Sequence, residues 1–181
     1  MILHRISEDD AGIWSAMLDL SKNYMAFSTI LFTMYVIPKF ALVHDRRDFY
    51  KEMGHVYKTI LPLFGVGMLL VYFLRYFLIA LIFPGFDEMA GLFKWQLMGD
   101  FIRLIGMVLS YYFISKKLVY YFVFTEILSV GLFYLFSYYF IDLYQVEGVV
   151  IAHFVRYVVY LVVVVILALF YVNKQHRRRT R

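Results

Sequence analysis

Residues 149–172 read VVIAHFVRYVVYLVVVVILALFYV, an apolar run interrupted only by His153 and Arg156. A helix needs ~20 mostly apolar residues to cross a bilayer, whereas a barrel strand alternates apolar and polar residues over ~10. This run neither alternates nor carries a turn signal, so it predicts a transmembrane helix. Working back along the chain, Trp14–Pro38, Val56–Phe83, Leu92–Ser115 and Val119–Ile141 read the same way. The 181 residues are 63% hydrophobic and 21% aromatic, with a mean hydropathy of +0.72. A soluble domain of this size could not hide that much apolar surface. The expected fold is an all-α membrane protein, one transmembrane domain of five helices whose short loops leave no room for a separate soluble domain.

Turn signals fall between the runs: Pro84-Gly85 with Asp87 and Glu88, then Asp142 to Gly148. Inside the second run, Pro62 with Gly65 and Gly67 marks either a kink or a proline tolerated in the first turns. Lys and Arg set the orientation. Lys39, Arg46, Arg47, Lys51 and Lys58 follow the first run, Lys116 and Lys117 follow the third, and the segment 173–181 is strongly basic. No Lys or Arg lies between Pro84 and Phe93 or between Asp142 and Gly148, and the first ten residues set one Arg against Glu8, Asp9 and Asp10. Every connection gives the same sense, with the N-terminus outside and a basic cytoplasmic tail at 173–181. An external N-terminus with no signal-peptide pattern in Met1 to Asp10 is most simply delivered by an upstream spanning helix. The expectation is therefore the C-terminal part of a longer transporter.

The net charge is +5, much of it in Lys174, His176, Arg177, Arg178, Arg179 and Arg181. A basic cluster beside a spanning helix fits anionic membrane lipid better than nucleic acid. With no cysteine there is no disulfide, thiol chemistry or Cys-based metal site. The five histidines form no metal-ligand motif, and no nucleophile–base constellation is visible. Neither an enzyme nor a cofactor is expected.

Function is carried by charges placed where lipid cannot solvate them. The first run sets Ser15, Asp19, Lys22, Ala26, Thr29 and Thr33 on one helical face, and the third sets Gln96, Asp100, Arg103, Met107 and Ser110 on another. Asp19–Lys22 and Asp100–Arg103 are each spaced to pair within one turn. The fifth run aligns His153, Arg156 and Tyr160, the second contains Arg75, and the fourth offers Glu126 and Ser129. At ~1.5 Å rise per residue, the charges of runs one, three and five lie about 8–16 Å from the outer end, with Arg75 at similar depth and Glu126 on the inner side. Lys22, Arg75, Arg103 and Arg156 against Asp19 and Asp100 leave two positive charges in excess, before His153 is counted. Such a layer suits an anion such as a phosphate or diphosphate, with Arg as the planar bidentate partner. Two plainer readings stand beside it: the i,i+3 pairs are self-neutralising glue, and Arg75 snorkels to the headgroups. Tyr111, Tyr112, Tyr120, Tyr121, Tyr138, Tyr139 and Tyr144 sit near segment ends, as an interfacial belt or as sugar-stacking surfaces.

The third run opens with Leu92-Phe93-Lys94-Trp95-Gln96-Leu97-Met98-Gly99-Asp100. It resembles the F-x-W-Q-L-x-G-D segment of bacterial lipid III and O-antigen flippases, the Wzx-type members of the MATE-like multidrug/oligosaccharidyl-lipid/polysaccharide exporter superfamily. Asp19, Ser21, Tyr24 and then Tyr35 to Pro38 are similar to the eighth helix of that family, and the five runs with their basic tail resemble the last five of its twelve helices. The resemblance implies two six-helix lobes that alternate access around a central cavity in the bacterial inner membrane. It implies as substrate an undecaprenyl-diphosphate-linked oligosaccharide. Arg103 and Arg156, helped by Lys22, would bind the diphosphate, with Asp19 and Asp100 orienting them. The N-terminal lobe and one further helix have no counterpart in these residues, so another lobe or another chain is expected to complete the cavity. Rival readings are a multidrug or cation antiporter of the same superfamily, which would want dominant buried carboxylates, and a membrane scaffold subunit whose charges pair with another chain.

Overall fold

A computed structural model describes residues 7–179, with side chains through Gln175; the tail cations His176, Arg177, Arg178, Arg179 and Arg181 lie outside that description. The described chain is all-α, as the long unalternating apolar runs predict. Helix α1 (Glu8–Leu31) runs through a π-helical turn (Phe32–Val36) into α2 (Ile37–Ala41). Helix α3 (Arg46–Phe73) is followed by α4 (Arg75–Ile82), a 3-10 turn (Asp87–Gly91), α5 (Phe93–Ser115) and α6 (Val119–Arg179). Four stretches are long and apolar enough to cross a membrane: Glu8–Ala41, Arg46–Phe73, Phe93–Ser115 and Val119–Gln175.

The last of these folds back on itself. Gln145 breaks it with φ 50° and ψ −128°. Tyr160 then donates a hydrogen bond to Glu126 at 3.1 Å, and Arg156 lies 4.7 Å from the Phe133 ring. In one straight helix residues 126 and 160 would stand about 50 Å apart. The two arms, 119–144 and 146–179, are therefore antiparallel, and each exceeds the ~20 residues that a crossing needs. The turn admits no side chain at Gly148, where a Cβ would come 2.2 Å from the Phe140 carbonyl oxygen. Gln145 occupies the backbone region of the first central residue of a type II′ turn, which glycine favours. Such strain costs ~1–3 kcal/mol, and glycine's extra unfolded-state entropy returns ~0.5–1 kcal/mol of any gain. Gln145→Gly is expected to stabilise the protein by about 1 kcal/mol, read as a raised thermal midpoint in detergent.

Helix starts follow capping rather than hydropathy. Ser7 Oγ accepts from Asp10 N at 3.0 Å, and Glu8, Asp9 and Asp10 complement the helix dipole, so α1 begins ahead of the apolar run. Asp45 caps α3 in the same way, accepting from Asp48 N at 2.8 Å. Arg46, Arg47 and Lys51 consequently lie on α3 and not in a loop. Pro62 sits inside α3 without ending it. The helix axis breaks instead at Leu74, where Arg75 Nη1 donates to the Tyr72 carbonyl at 2.8 Å. The π turn precedes Pro38, which offers no N–H to Met34 and crowds that carbonyl; there Ile37 N–H reaches back to Phe32 O.

Helix α5 is the hub. The second arm of α6 packs along it through His153, Phe154, Tyr160 and Tyr171, with α1, α2 and α3 around the rest. Gly99 and Gly106 are the notches that admit the second arm: a Cβ at either would meet His153 or Tyr160 at under 3.0 Å. Tyr112, expected in an interfacial belt, is buried against Phe40 and Phe49 with ring centroids 5.6 and 4.8 Å away. The outward surface is rich in side chains such as Phe27, Met34, Leu63, Phe77 and Leu135, as lipid contact requires.

Candidate functional site

Asp100 of α5 is completely buried and gathers three spans. From α1, Ser21 Oγ donates to its Oδ2 at 2.6 Å, and the Tyr24 hydroxyl donates to the same oxygen. From α5 itself, Gln96 Nε2 donates to Oδ2 at 3.1 Å and to Ser21 Oγ at 3.2 Å. From the second arm of α6, His153 Nε2 lies 2.9 Å from Oδ1. Arg156 Nη2 lies 3.2 Å from His153 Nδ1. An arginine can only donate, so Nδ1 accepts and the imidazole proton sits on Nε2, pointing at Asp100. That tautomer makes the 3.3 Å approach of Gln96 Nε2 to His153 Nε2 a contact between two donors rather than a hydrogen bond. Four donors converge on Asp100, three on Oδ2 and one on Oδ1.

Asp100 therefore does not pair with Arg103, as the i,i+3 spacing had suggested. Around a helix three residues turn the side chain by 60°, enough to aim Asp100 into the α1–α5–α6 seam and Arg103 away from it. The Arg103 guanidinium lies 5.5 Å from the centre of the Tyr157 ring, and that of Arg156 lies 4.1 Å from the same ring and 4.7 Å from Phe133. Arg103 makes no ion pair or hydrogen bond among the described residues. Arg156 Nε is buried without a partner. Two guanidiniums thus lie against one aromatic ring, and neither is neutralised by a carboxylate at contact distance.

The other charges divide. Lys22 and Asp19 do pair, at 2.9 Å, but on an exposed face with side chains 72% and 58% accessible. Ser15, Ala26, Thr29 and Thr33 are exposed along the same face of α1, so the stripe read from the sequence points out of this bundle. Lys22 is bonded to Asp19 and not brought to Arg103 or Arg156. Arg75 is held by its neighbours across the α3–α4 break, 4.4 and 4.5 Å from the rings of Tyr72 and Tyr76. Glu126, on an exposed face, accepts from Tyr160, so Ser110 Oγ must be the donor in its 2.6 Å contact with the Tyr160 hydroxyl. Among the described residues no group of three or more His, Asp or Glu could hold a metal ion.

Four members of this site were not singled out as site residues by the sequence. Ser21, Tyr24 and Gln96 lay in the family-like segments, and Tyr157 follows His153 by one helical turn, a spacing that could have flagged it. Their roles depend on which helix each one meets.

The chain is 29% identical over 161 residues to lipid III flippase of Escherichia coli (strain K12), and equally to lipid III flippase of Shigella flexneri. No protein-family model matches it. No solved structure matches it either. Both alignments take in 88% of this chain and 39% of the relative's length. The likeness first visible at Phe93–Asp100 is therefore shared with lipid III flippases along most of an all-α membrane chain that spans 39% of their length.

Proposed function

We propose that this chain forms the C-terminal lobe of a flippase for polyprenyl-diphosphate-linked oligosaccharide, acting by alternating access in the bacterial inner membrane with its C-terminus cytoplasmic. The observation that carries the proposal is the pair of guanidiniums on Tyr157, without carboxylate partners and with Arg156 Nε buried and unpartnered. Donors held in this way want an acceptor, and a diphosphate offers several oxygens to two planar forks. The Asp19–Lys22 stripe supports a wet cavity, because a polar face running along a spanning helix has no solvent in hydrocarbon. A second lobe or another chain would form the opposite wall, and Lys22 would reach the substrate from the rim.

Arg103→Ala and Arg156→Ala are each expected to lower flipping about 10- to 100-fold, the loss of one charge-assisted contact of ~1.5–3 kcal/mol. The test is restoration of surface glycan in a flippase-deficient strain, with membrane levels of the variants confirmed equal to wild type. Arg156→Lys should not rescue, because an ammonium lacks the fork. Normal complementation by both alanine variants would overturn the proposal. An antiporter of drugs or cations is less well supported, since Asp100, the buried carboxylate it would use, is already surrounded by four donors. An unchanged drug susceptibility on expression separates the two.

A further inference from the structure

The guanidinium of Arg156 is held by a neighbouring side chain one helical turn away. His153 stands between Arg156 and Asp100, with Nδ1 3.2 Å from Arg156 Nη2 and Nε2 2.9 Å from Asp100 Oδ1. Its ring is fixed from two further sides. Tyr157 meets it edge to face, with centroids 4.9 Å apart and planes at 78°, and the bare Cα of Gly99 lets its Cδ2 edge come against α5. An imidazole so held has one orientation available. It ties up one terminal nitrogen of Arg156 and leaves Nε unpartnered. It also connects the Arg156 cation, through one neutral ring, to the negative charge of Asp100.

We infer that His153 is a positioning residue for the anion site, holding Arg156 in the orientation that receives the diphosphate by bridging it to Asp100. This rests on the assignment of Arg103 and Arg156 to the diphosphate. The bridge lowers the conformational entropy that Arg156 loses on binding, because the long side chain is ordered before the anion arrives. It also offsets part of the cost of keeping a guanidinium within the membrane span, since the Asp100 charge lies one hydrogen-bonded ring away. The same bridge links anion binding to the docking of α1, whose Ser21 and Tyr24 share the carboxylate.

The test is a double-mutant cycle on the purified full-length protein in nanodiscs, with farnesyl diphosphate as the probe and its dissociation constant as the readout. His153→Phe keeps the ring and its contact with Tyr157 but loses both nitrogens. It should weaken binding about 5- to 20-fold, the worth of ~1–1.8 kcal/mol. In an Arg156→Ala background the same change should cost nothing further, because the residue through which it acts is gone. His153→Gln carries an acceptor and a donor about as far apart as the two ring nitrogens and should recover most of the affinity. That variant also keeps the test open if His153→Phe fails to fold. Wild-type binding by His153→Phe, or an equal loss with and without Arg156, overturns the positioning role and leaves the diphosphate site standing. So does a His153→Gln loss as large as that of His153→Phe. Wild-type binding by both Arg103→Ala and Arg156→Ala instead removes the diphosphate site itself, and the positioning role with it.

Discussion

Asp100→Ala should destabilise the protein by ~3–5 kcal/mol, more than any other single truncation of the polar groups in this bundle. The carboxylate is the shared acceptor for Ser21, Tyr24, Gln96 and His153, drawn from three spans and buried to the last atom. Alanine would strand four donors at once. Four ordinary hydrogen bonds inside a membrane protein, at ~0.6 kcal/mol each, come to only ~2.4 kcal/mol. The rest comes from charge: with Asp100 gone, Arg156 keeps its cation in the span and loses the anion that faced it through His153. Asp100→Asn separates the two effects. It retains one acceptor and nearly the same shape, so it should lose the charge component and only part of the hydrogen bonding, giving roughly half the destabilisation. Unfolding free energies from steric trapping in bicelles measure both. A value for Asp100→Ala within ~1 kcal/mol of wild type would mean that the three spans are held by their apolar contacts alone, as many membrane helices are.

The course of the helices was legible wherever a single segment decides the matter. Apolar length gave five runs, because lipid imposes one solvent along the whole crossing. The Asp19–Lys22 pair was legible for the same reason, since both partners lie on one turn of one helix. Gly99 and Gly106 lie beside the polar stripe of the third run, where small residues permit close packing, but the stripe does not say which side chains fill the space. What could not be read is whatever depends on rotation and register between helices. Asp100 and Arg103 have the spacing of a local pair, but His153 and the hydroxyls of α1 reach the carboxylate first, and Arg103 turns to Tyr157. Arg103 and Arg156 lie on different helices, so their meeting on one ring needs the α5–α6 register, to which hydropathy is blind. The break at Leu74 was hidden by the stronger signal of Pro62, which the helix tolerates.

Gly99→Ala should cost ~3 kcal/mol and disable the site as well, although the added group is one methyl. A Cβ at residue 99 would lie 2.4 Å from His153 Cδ2, 3.1 Å from its Nε2 and 3.2 Å from the Cα of Phe154. The first two atoms belong to a ring pinned by Asp100, Arg156 and Tyr157, and the third is backbone, so no loose side chain can swing aside. Overpacking of this kind costs ~1–3 kcal/mol, and pushing His153 away breaks a hydrogen bond to a charged group worth ~1.5–3 kcal/mol. The better helix propensity of alanine returns only ~1 kcal/mol. Other glycines of the same chain supply the comparison. At Gly106 the close atoms are Tyr160 Cε1 and Cδ1 at 2.8 and 3.0 Å, but the nearest backbone atom is 3.9 Å away, so Gly106→Ala should cost less. At Gly67 nothing lies within 4 Å, and Gly67→Ala should be neutral or stabilising by up to ~1 kcal/mol. The expected order of thermal midpoints in detergent is therefore Gly67→Ala highest, then Gly106→Ala, then Gly99→Ala. Helix propensity alone would raise all three, so a rise for Gly99→Ala would show that the second arm of α6 does not approach α5 closely enough for His153 to reach Asp100. The structural basis for both the Asp100 cluster and the aimed arginine would then be lost together, because the reach of His153 to Asp100 depends on residue 99 having no side chain.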